Sequence, residues 1–222
     1  MVSQAKIVFS PDTNLFICAA QNDKSDQRSK KSKEYFGGVK RNSKRSYLIA
    51  TVTDEINTWI NGLSAALLDF FSKYDGDLID DFISRCDRKN PKTLDKEKRY
   101  LPYVRVIKLI SDEELEVEQD KIREAVDEIE NNIDSYLLLF PEQRSIEYPE
   151  FFDEPKHKIS IGDPDDEKHL YLISNYLESN PEISRFNFIT WDKEHLFHNG
   201  DDITKWKNKI KIITPESKGS LF

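Results

Sequence analysis

The run Ile7-Val8-Phe9 meets Pro11 and passes at once into Asp12-Thr13-Asn14, with a new apolar segment, Leu15-Phe16-Ile17, behind it. A short β-branched and aromatic run bounded by proline predicts a buried first strand. The segment that follows predicts a short helix from Thr13 to Gln21. Asp12 therefore falls just past the carboxyl end of a strand, where parallel α/β sheets gather their reactive groups. A carboxylate there serves either as a metal or phosphate ligand, or only as the N-cap of the next helix.

The rest of the chain repeats this alternation. Ser46 to Val52 predicts a second strand, and Thr53 an N-cap for a long helix from Asp54 to about Tyr74. Trp59, Leu63, Ala66, Leu67, Phe70 and Phe71 recur there at helical spacing and form its core face. A short helix is expected over Asp77 to Cys86 and a linker around Lys89-Asn90-Pro91-Lys92, while Tyr103 to Ile110 fits strand or helix equally. Ser111 and Glu114 make a capping box for a charged helix running toward Phe140, an exposed arm with one apolar stripe through Leu115, Ile122, Ala125, Val126 and Ile129. Pro141 to His157 reads as an irregular loop. Gly162 to Asp166 opens a helix that stops before Asn180-Pro181. Arg185 to Trp191 and Lys209 to Thr214 are further strands. Strands alternating with helices predict an α/β sandwich with a mostly parallel sheet.

Of the 222 residues 37% are hydrophobic, enough for one substantial core, so a single domain over 1–222 is expected. No apolar run nears the roughly 18 residues of a membrane span. Cys18 and Cys86 lack pairing or metal spacing, which suits a reducing cytoplasm. Four scattered histidines and no CxxC argue against zinc. The net charge of −8 is uneven: residues 23–46 hold nine Lys or Arg against three acids, a local +6, so the remainder carries −14. Such a block is either a solvated face or a strip that contacts phosphates.

Four acids occupy places that this fold can bring together. Asp12 and Asp192 end strands; Glu55 and Asp166 lie in first helical turns. Strand carboxyl ends and helix starts share one edge of such a sheet. Oxygen ligands without nearby His or Cys favour a hard cation, Mg²⁺ or Mn²⁺, and without a cation the cluster would repel itself.

Asp12-Thr13-Asn14 after an apolar strand, Glu55 opening the second long helix, Asp166-x-x-His169, and Thr190-x-Asp192 ending the next strand together resemble the PIN domain, as does the closing Ile212-Ile213-Thr214-Pro215. The likeness covers Lys6–Ile17, Ser46–Tyr74 and Gly162–Pro215, about half of the chain. It implies a three-layer α/β/α sandwich with a mostly parallel central sheet, and a metal-dependent endoribonuclease. Asp12, Glu55, Asp166 and Asp192 would be the metal-binding catalytic set, with Asn14 and Thr190 holding the carboxylates. Asp165 and Asp163 are alternates for the third acid, and Asp54 a weaker rival to Glu55. His169 is read as a helix-surface or core residue rather than a base.

Two stretches depart from the family pattern: the basic insertion at about 22–46 and a helical elaboration at about 75–157. Lys30, Lys31, Lys40, Arg41, Lys44 and Arg45 would hold the RNA backbone. The resemblance is compatible with a toxin checked by an antitoxin or other protein inhibitor, a defence effector or a processing enzyme, with a homodimer, and with a DNA-directed nuclease. The rival readings are a catalytically silent PIN fold acting as a nucleic-acid-binding or scaffold module, and a phosphoryl-transfer enzyme of haloacid dehalogenase or receiver type. The dehalogenase pattern needs an acid two residues after the first, where Asn14 stands.

Overall fold

The computed structural model describes residues 6–21, 26–41, 43–73, 119–148 and 158–216, with residues 84 and 104. Lys6–Pro11 forms β1, buried over its last four residues. It pairs in parallel along its length with β4 (Ile183–Ile189), which pairs in parallel with β5 (Ile210–Ile213). Leu48–Ile49 (β2) pairs in parallel with Ser145–Ile146 (β3). A parallel bridge between Phe9 and Ser46, with Tyr47 N–H donating to the Phe9 carbonyl at 2.8 Å, attaches β2 to the other flank of β1. The spatial order is thus β3-β2-β1-β4-β5. Consecutive residues of β1 are buried, so both faces of the strand are covered, and it therefore reads as a continuous apolar run rather than an alternating one. The fold is α/β with parallel strands, and their carboxyl ends lie along one edge.

Helix α1 (Thr13–Ala20) packs against α2 (Gln27–Arg41), α3 (Ala50–Lys73) and α4 (Gln119–Leu137). Phe16 and Phe36 meet at 4.8 Å between ring centroids, and Phe36 stacks on Tyr136 at 4.5 Å. Helix α5 (Pro164–Ser179) lies against β2, β3, β4 and α3, and α6 (Gly200–Trp206) against β5. Among the described residues no helix is long and apolar enough to cross a membrane.

Several expectations are corrected. The second strand stops at Ile49, and α3 begins at Ala50, so Thr53 is no N-cap and Glu55 lies in the second turn. The β-branched residues of 51–53 mislead because Val52 and Ile56 carry the buried stripe on to Leu63, Leu67 and Phe70. The basic segment is not broken at Gly37-Gly38: α2 runs through both. Each glycine costs about 1 kcal/mol in a helix, whereas burying Tyr35, Phe36 and Val39 gains about 1.5–3 kcal/mol apiece. Helix α4 is no exposed arm, since Ala125, Val126, Ile129 and Ile133 are buried. It ends at Leu137, before Pro141, and the loop beyond contributes β3. The predicted helix at 77–86, the linker at 89–92, the undecided segment at 103–110 and the capping box at 111–114 lie outside the described residues, apart from residues 84 and 104.

Candidate metal centre

Asp12 leaves β1 in an extended conformation (φ −82°, ψ 160°), with its N–H still donating to the Ile189 carbonyl of β4 at 2.8 Å. Its side chain is 98% hidden from solvent, being 2% exposed. Oδ1 accepts from Thr13 N–H at 2.7 Å and so caps α1. Oδ2 accepts from the Thr190 hydroxyl at 2.7 Å and the Asn14 amide at 3.1 Å. The capping role weighed above is therefore real, and it leaves a buried carboxylate fixed at the sheet edge. Burial raises its pKa; His169 and Thr190 act the other way without overcoming it.

Glu55 reaches the same place from α3. Its Oε2 accepts from the Thr13 hydroxyl at 2.5 Å, and its Oε1 lies 3.0 Å from His169 Nε2. His169, on α5, is 1% exposed, and its Nδ1 meets the Thr51 hydroxyl at 2.6 Å. Its Nε2 is enclosed without a well-aligned hydrogen bond, and Glu55 Oε1 is a carboxylate oxygen that it faces. Burial works to raise the Glu55 pKa, but His169 and Thr13 outweigh it and hold the group below its ordinary value.

Asp192 follows β4 and caps a single π-helical turn, Lys193–Phe197. It accepts from Glu194 and His195 N–H at 2.8 and 3.0 Å. Its own N–H donates to Thr190 Oγ1 at 2.8 Å, so one buried hydroxyl links Asp12 with the Asp192 backbone. Burial opposes ionisation of Asp192, yet these backbone donors and the neighbouring Asp166 keep its pKa low. Asp166 goes the other way. Burial, with the charges of Asp12, Asp192 and Asp163 beside it, pushes its pKa up to about 8. Carboxylates this close cannot all ionise cheaply, and of the hydrogen-bonded pair Asp166 and Asp192 the proton settles on the more enclosed Asp166.

Of the three acids at the start of α5, Asp166 is the one that faces Asp12 and Asp192. Asp163 caps the helix through Asp165 and Asp166 N–H, and Asp165 is exposed and pairs with Lys168 at 2.6 Å. Asp54 is exposed and accepts from the Tyr148 hydroxyl at 2.6 Å. His195 Nδ1 lies 3.3 Å from Asp192 and 3.8 Å from both Asp163 and Asp166. Two donor sets result, Asp12-Glu55-His169 and Asp163-Asp166-His195, each with ligand atoms within 4.8 Å of one another. Their carboxylate and imidazole donors fit a divalent cation of the Mg²⁺ or Mn²⁺ kind, and an imidazole nitrogen adds affinity for transition ions.

No family model, curated protein or solved structure matches the chain.

The basic strip is split by the fold. At the N-terminal end of α2, Ser32 accepts from Trp191 Nε1–H at 2.8 Å, and Arg28 lies over the Trp191 ring at 6.0 Å, one residue from Asp192. Arg41 is thirteen residues further along, about 20 Å down the helix. Ser46 pairs with Phe9, so Lys44 and Arg45 stand toward the opposite sheet edge. Lys30, Lys40, Arg41, Lys44 and Arg45 are exposed, and Lys31 pairs with Glu34 at 2.8 Å. The part of the strip from Lys40 to Arg45 is thus remote from the acids. The strip begins beside the acids, at Arg28 and Trp191, and ends along the flank of β1, at Ser46.

Beside Glu55 and His169 opens a cleft of about 570 Å³, lined by Thr51, Trp59, Tyr148 and Lys168 among others. Neither this cleft nor the roles of Thr13, His169 and His195 were read from the sequence. Thr13 adjoins Asp12 and His195 lies three residues after Asp192, but only folding turns those neighbours inward. Thr190→Val tests how Asp12 is held. The variant leaves Oδ2 with Asn14 alone and Asp192 N–H without its acceptor, and should cost about 1–2 kcal/mol in urea unfolding of the metal-free protein. A loss under about 0.5 kcal/mol would show that the hydroxyl holds nothing.

Proposed function

We propose that the chain is a metal-dependent endoribonuclease on a PIN-like α/β/α fold, with Mg²⁺ or Mn²⁺ held by Asp12, Glu55, Asp166 and Asp192. The observation that carries this reading is the convergence of four acids from two strand ends and two helices at the carboxyl edge of parallel strands, one of them pushed to a pKa of about 8. A bound divalent cation would relieve that repulsion, lower the pKa of attacking water and neutralise charge developing on a phosphodiester. The chain's own groups fix the geometry. Thr190, Asn14 and Thr13 N–H hold Asp12 rigidly. The Thr13 hydroxyl orients Glu55, and backbone N–H groups keep Asp192 ionised. One P–O bond of the RNA backbone breaks as water oxygen bonds to phosphorus, and carboxylates at the edge are placed to take the proton. Cleavage of labelled single-stranded RNA in Mn²⁺, with EDTA and single-stranded DNA as controls, tests this. RNA left intact overturns it, and RNA bound but uncut favours the silent-module reading.

Two further outcomes concern how RNA lies on the protein. The cleft beside Glu55 offers the Trp59 ring to a base next to the scissile phosphate. Trp59→Ala should weaken RNA binding about tenfold, in line with stacking worth about 1–3 kcal/mol per base. Fluorescence anisotropy measures this, and unchanged binding places the base elsewhere. Among the described residues, Arg28 and Lys168 are cations that border the site. Arg28→Ala should therefore flatten the slope of log affinity against log salt by about 0.7. Joint replacement of Lys40, Arg41, Lys44 and Arg45 by Ala should leave the slope unchanged. The reverse pattern would show that RNA follows the far end of α2.

A further inference from the structure

Resting on the metal-dependent reading above, we infer that His169 Nε2 is itself a ligand of the centre at Asp12 and Glu55, giving that centre a nitrogen donor and a preference for Mn²⁺ over Mg²⁺. Four acids alone would make an all-oxygen site, to which Mg²⁺ is well suited. The geometry around His169 departs from that. Its ring meets Thr51 of α3 and Phe188 of β4, the latter at 5.6 Å between centroids, and the residue is 1% exposed. Its Nε2 is enclosed and makes no hydrogen bond of good geometry, although Glu55 Oε1 lies 3.0 Å away. A buried nitrogen that points at an acid without hydrogen-bonding to it requires an explanation.

Ligation supplies one. If Nδ1–H donates to Thr51 Oγ1, Nε2 turns a lone pair toward Glu55 Oε1 and the buried Asp12. The bond made by one ring nitrogen selects the tautomer that binds metal through the other. Two neighbouring ligand atoms at right angles on bonds of about 2.1 Å stand about 3.0 Å apart, the separation found between Nε2 and Oε1. The same three side chains place their ligand atoms within 4.8 Å of one another. Imidazole binds Mn²⁺ and later transition ions in preference to Mg²⁺, which takes oxygen and keeps its waters.

Pulsed electron paramagnetic resonance on the full chain loaded with Mn²⁺ alone reads this directly, because a coordinated ¹⁴N imparts an echo modulation that oxygen ligands do not. The modulation should be present in the wild type, change to the ¹⁵N pattern in protein grown with ring-labelled histidine, persist in His195→Gln and vanish in His169→Gln. The Mn²⁺-to-Mg²⁺ affinity ratio, read by titration calorimetry, should fall about tenfold in His169→Gln. Bound Mn²⁺ without nitrogen modulation, or modulation that disappears with His195 instead, overturns the inference and leaves an all-carboxylate centre intact. If Mn²⁺ does not bind the wild type at all, the metal-dependent reading falls with it. If His169→Gln fails to fold, the labelled protein carrying His195→Gln decides between the two histidines: a ¹⁵N pattern that persists there supports His169, and one that vanishes overturns the inference.

Discussion

Asp12→Asn and Asp192→Asn should each lower cleavage of single-stranded RNA at least about 100-fold, and EDTA should abolish wild-type activity. Both substitutions keep shape and remove one charge. Both positions cap a following helical turn through a side-chain oxygen, and Asn caps as well as Asp. The fold should therefore survive, and circular dichroism with thermal melting would verify that the loss is one of chemistry. Full activity in EDTA would exclude a metal mechanism outright. Loss of activity matched by loss of folded protein would return Asp12 to a purely structural role.

The second large effect is a reversal of stability at Asp166. Its carboxyl has an ordinary value of 3.8 in the unfolded chain and about 8 in the folded one. A raised folded pKa means that the folded state binds the proton more tightly. The stability this supplies is complete below pH 3.8 and is lost as pH climbs through 8. A shift of that size has a nominal worth of about 5–6 kcal/mol. Solvent reaches part of the group and screens it, leaving about 2–3 kcal/mol. Metal-free Asp166→Asn should thus be more stable than wild type by about 2–3 kcal/mol at pH 8.5, with the difference closing near pH 4. Mn²⁺ at a hundredfold excess over its dissociation constant should add about 2.7 kcal/mol to the wild type and much less to the variant. Urea unfolding at both pH values, with and without Mn²⁺, measures all four quantities. A variant no more stable than wild type at pH 8.5 would show that Asp166 is not crowded by its neighbours.

Elements whose apolar period is carried by consecutive residues were legible in the chain. β1, the start of α5 at Asp163-Pro164 and the strand before Asp192 fall within a few residues of their expected places. The start of α3 was not legible, because Ala50, Thr51 and Val52 suit strand and helix alike and only packing of Val52 against the core chooses between them. β3 could not be read either: two residues carry no period, and they are strand only because β2 lies beside them.

At the site the same division holds. Asp12, Glu55, Asp166 and Asp192 stand out in sequence because each carboxylate follows an apolar run or sits near a helix start, and backbone direction alone then sends them to one edge. Which acid shares its proton with which depends on burial and on distances of a few ångströms between α5 and β4, which no spacing encodes. The two histidines show the limit most sharply. Along the chain His169 closes Asp166-x-x-His169 and His195 follows Asp192 by three residues, but nothing there joins His169 to Thr51 or Glu55, up to 118 positions away. The residue types and their order determined where charge would gather. The packing of α3 and α5 across the edge of β1 decided that a buried imidazole faces it, because side-chain contact between distant segments exists only once the core that joins them has formed.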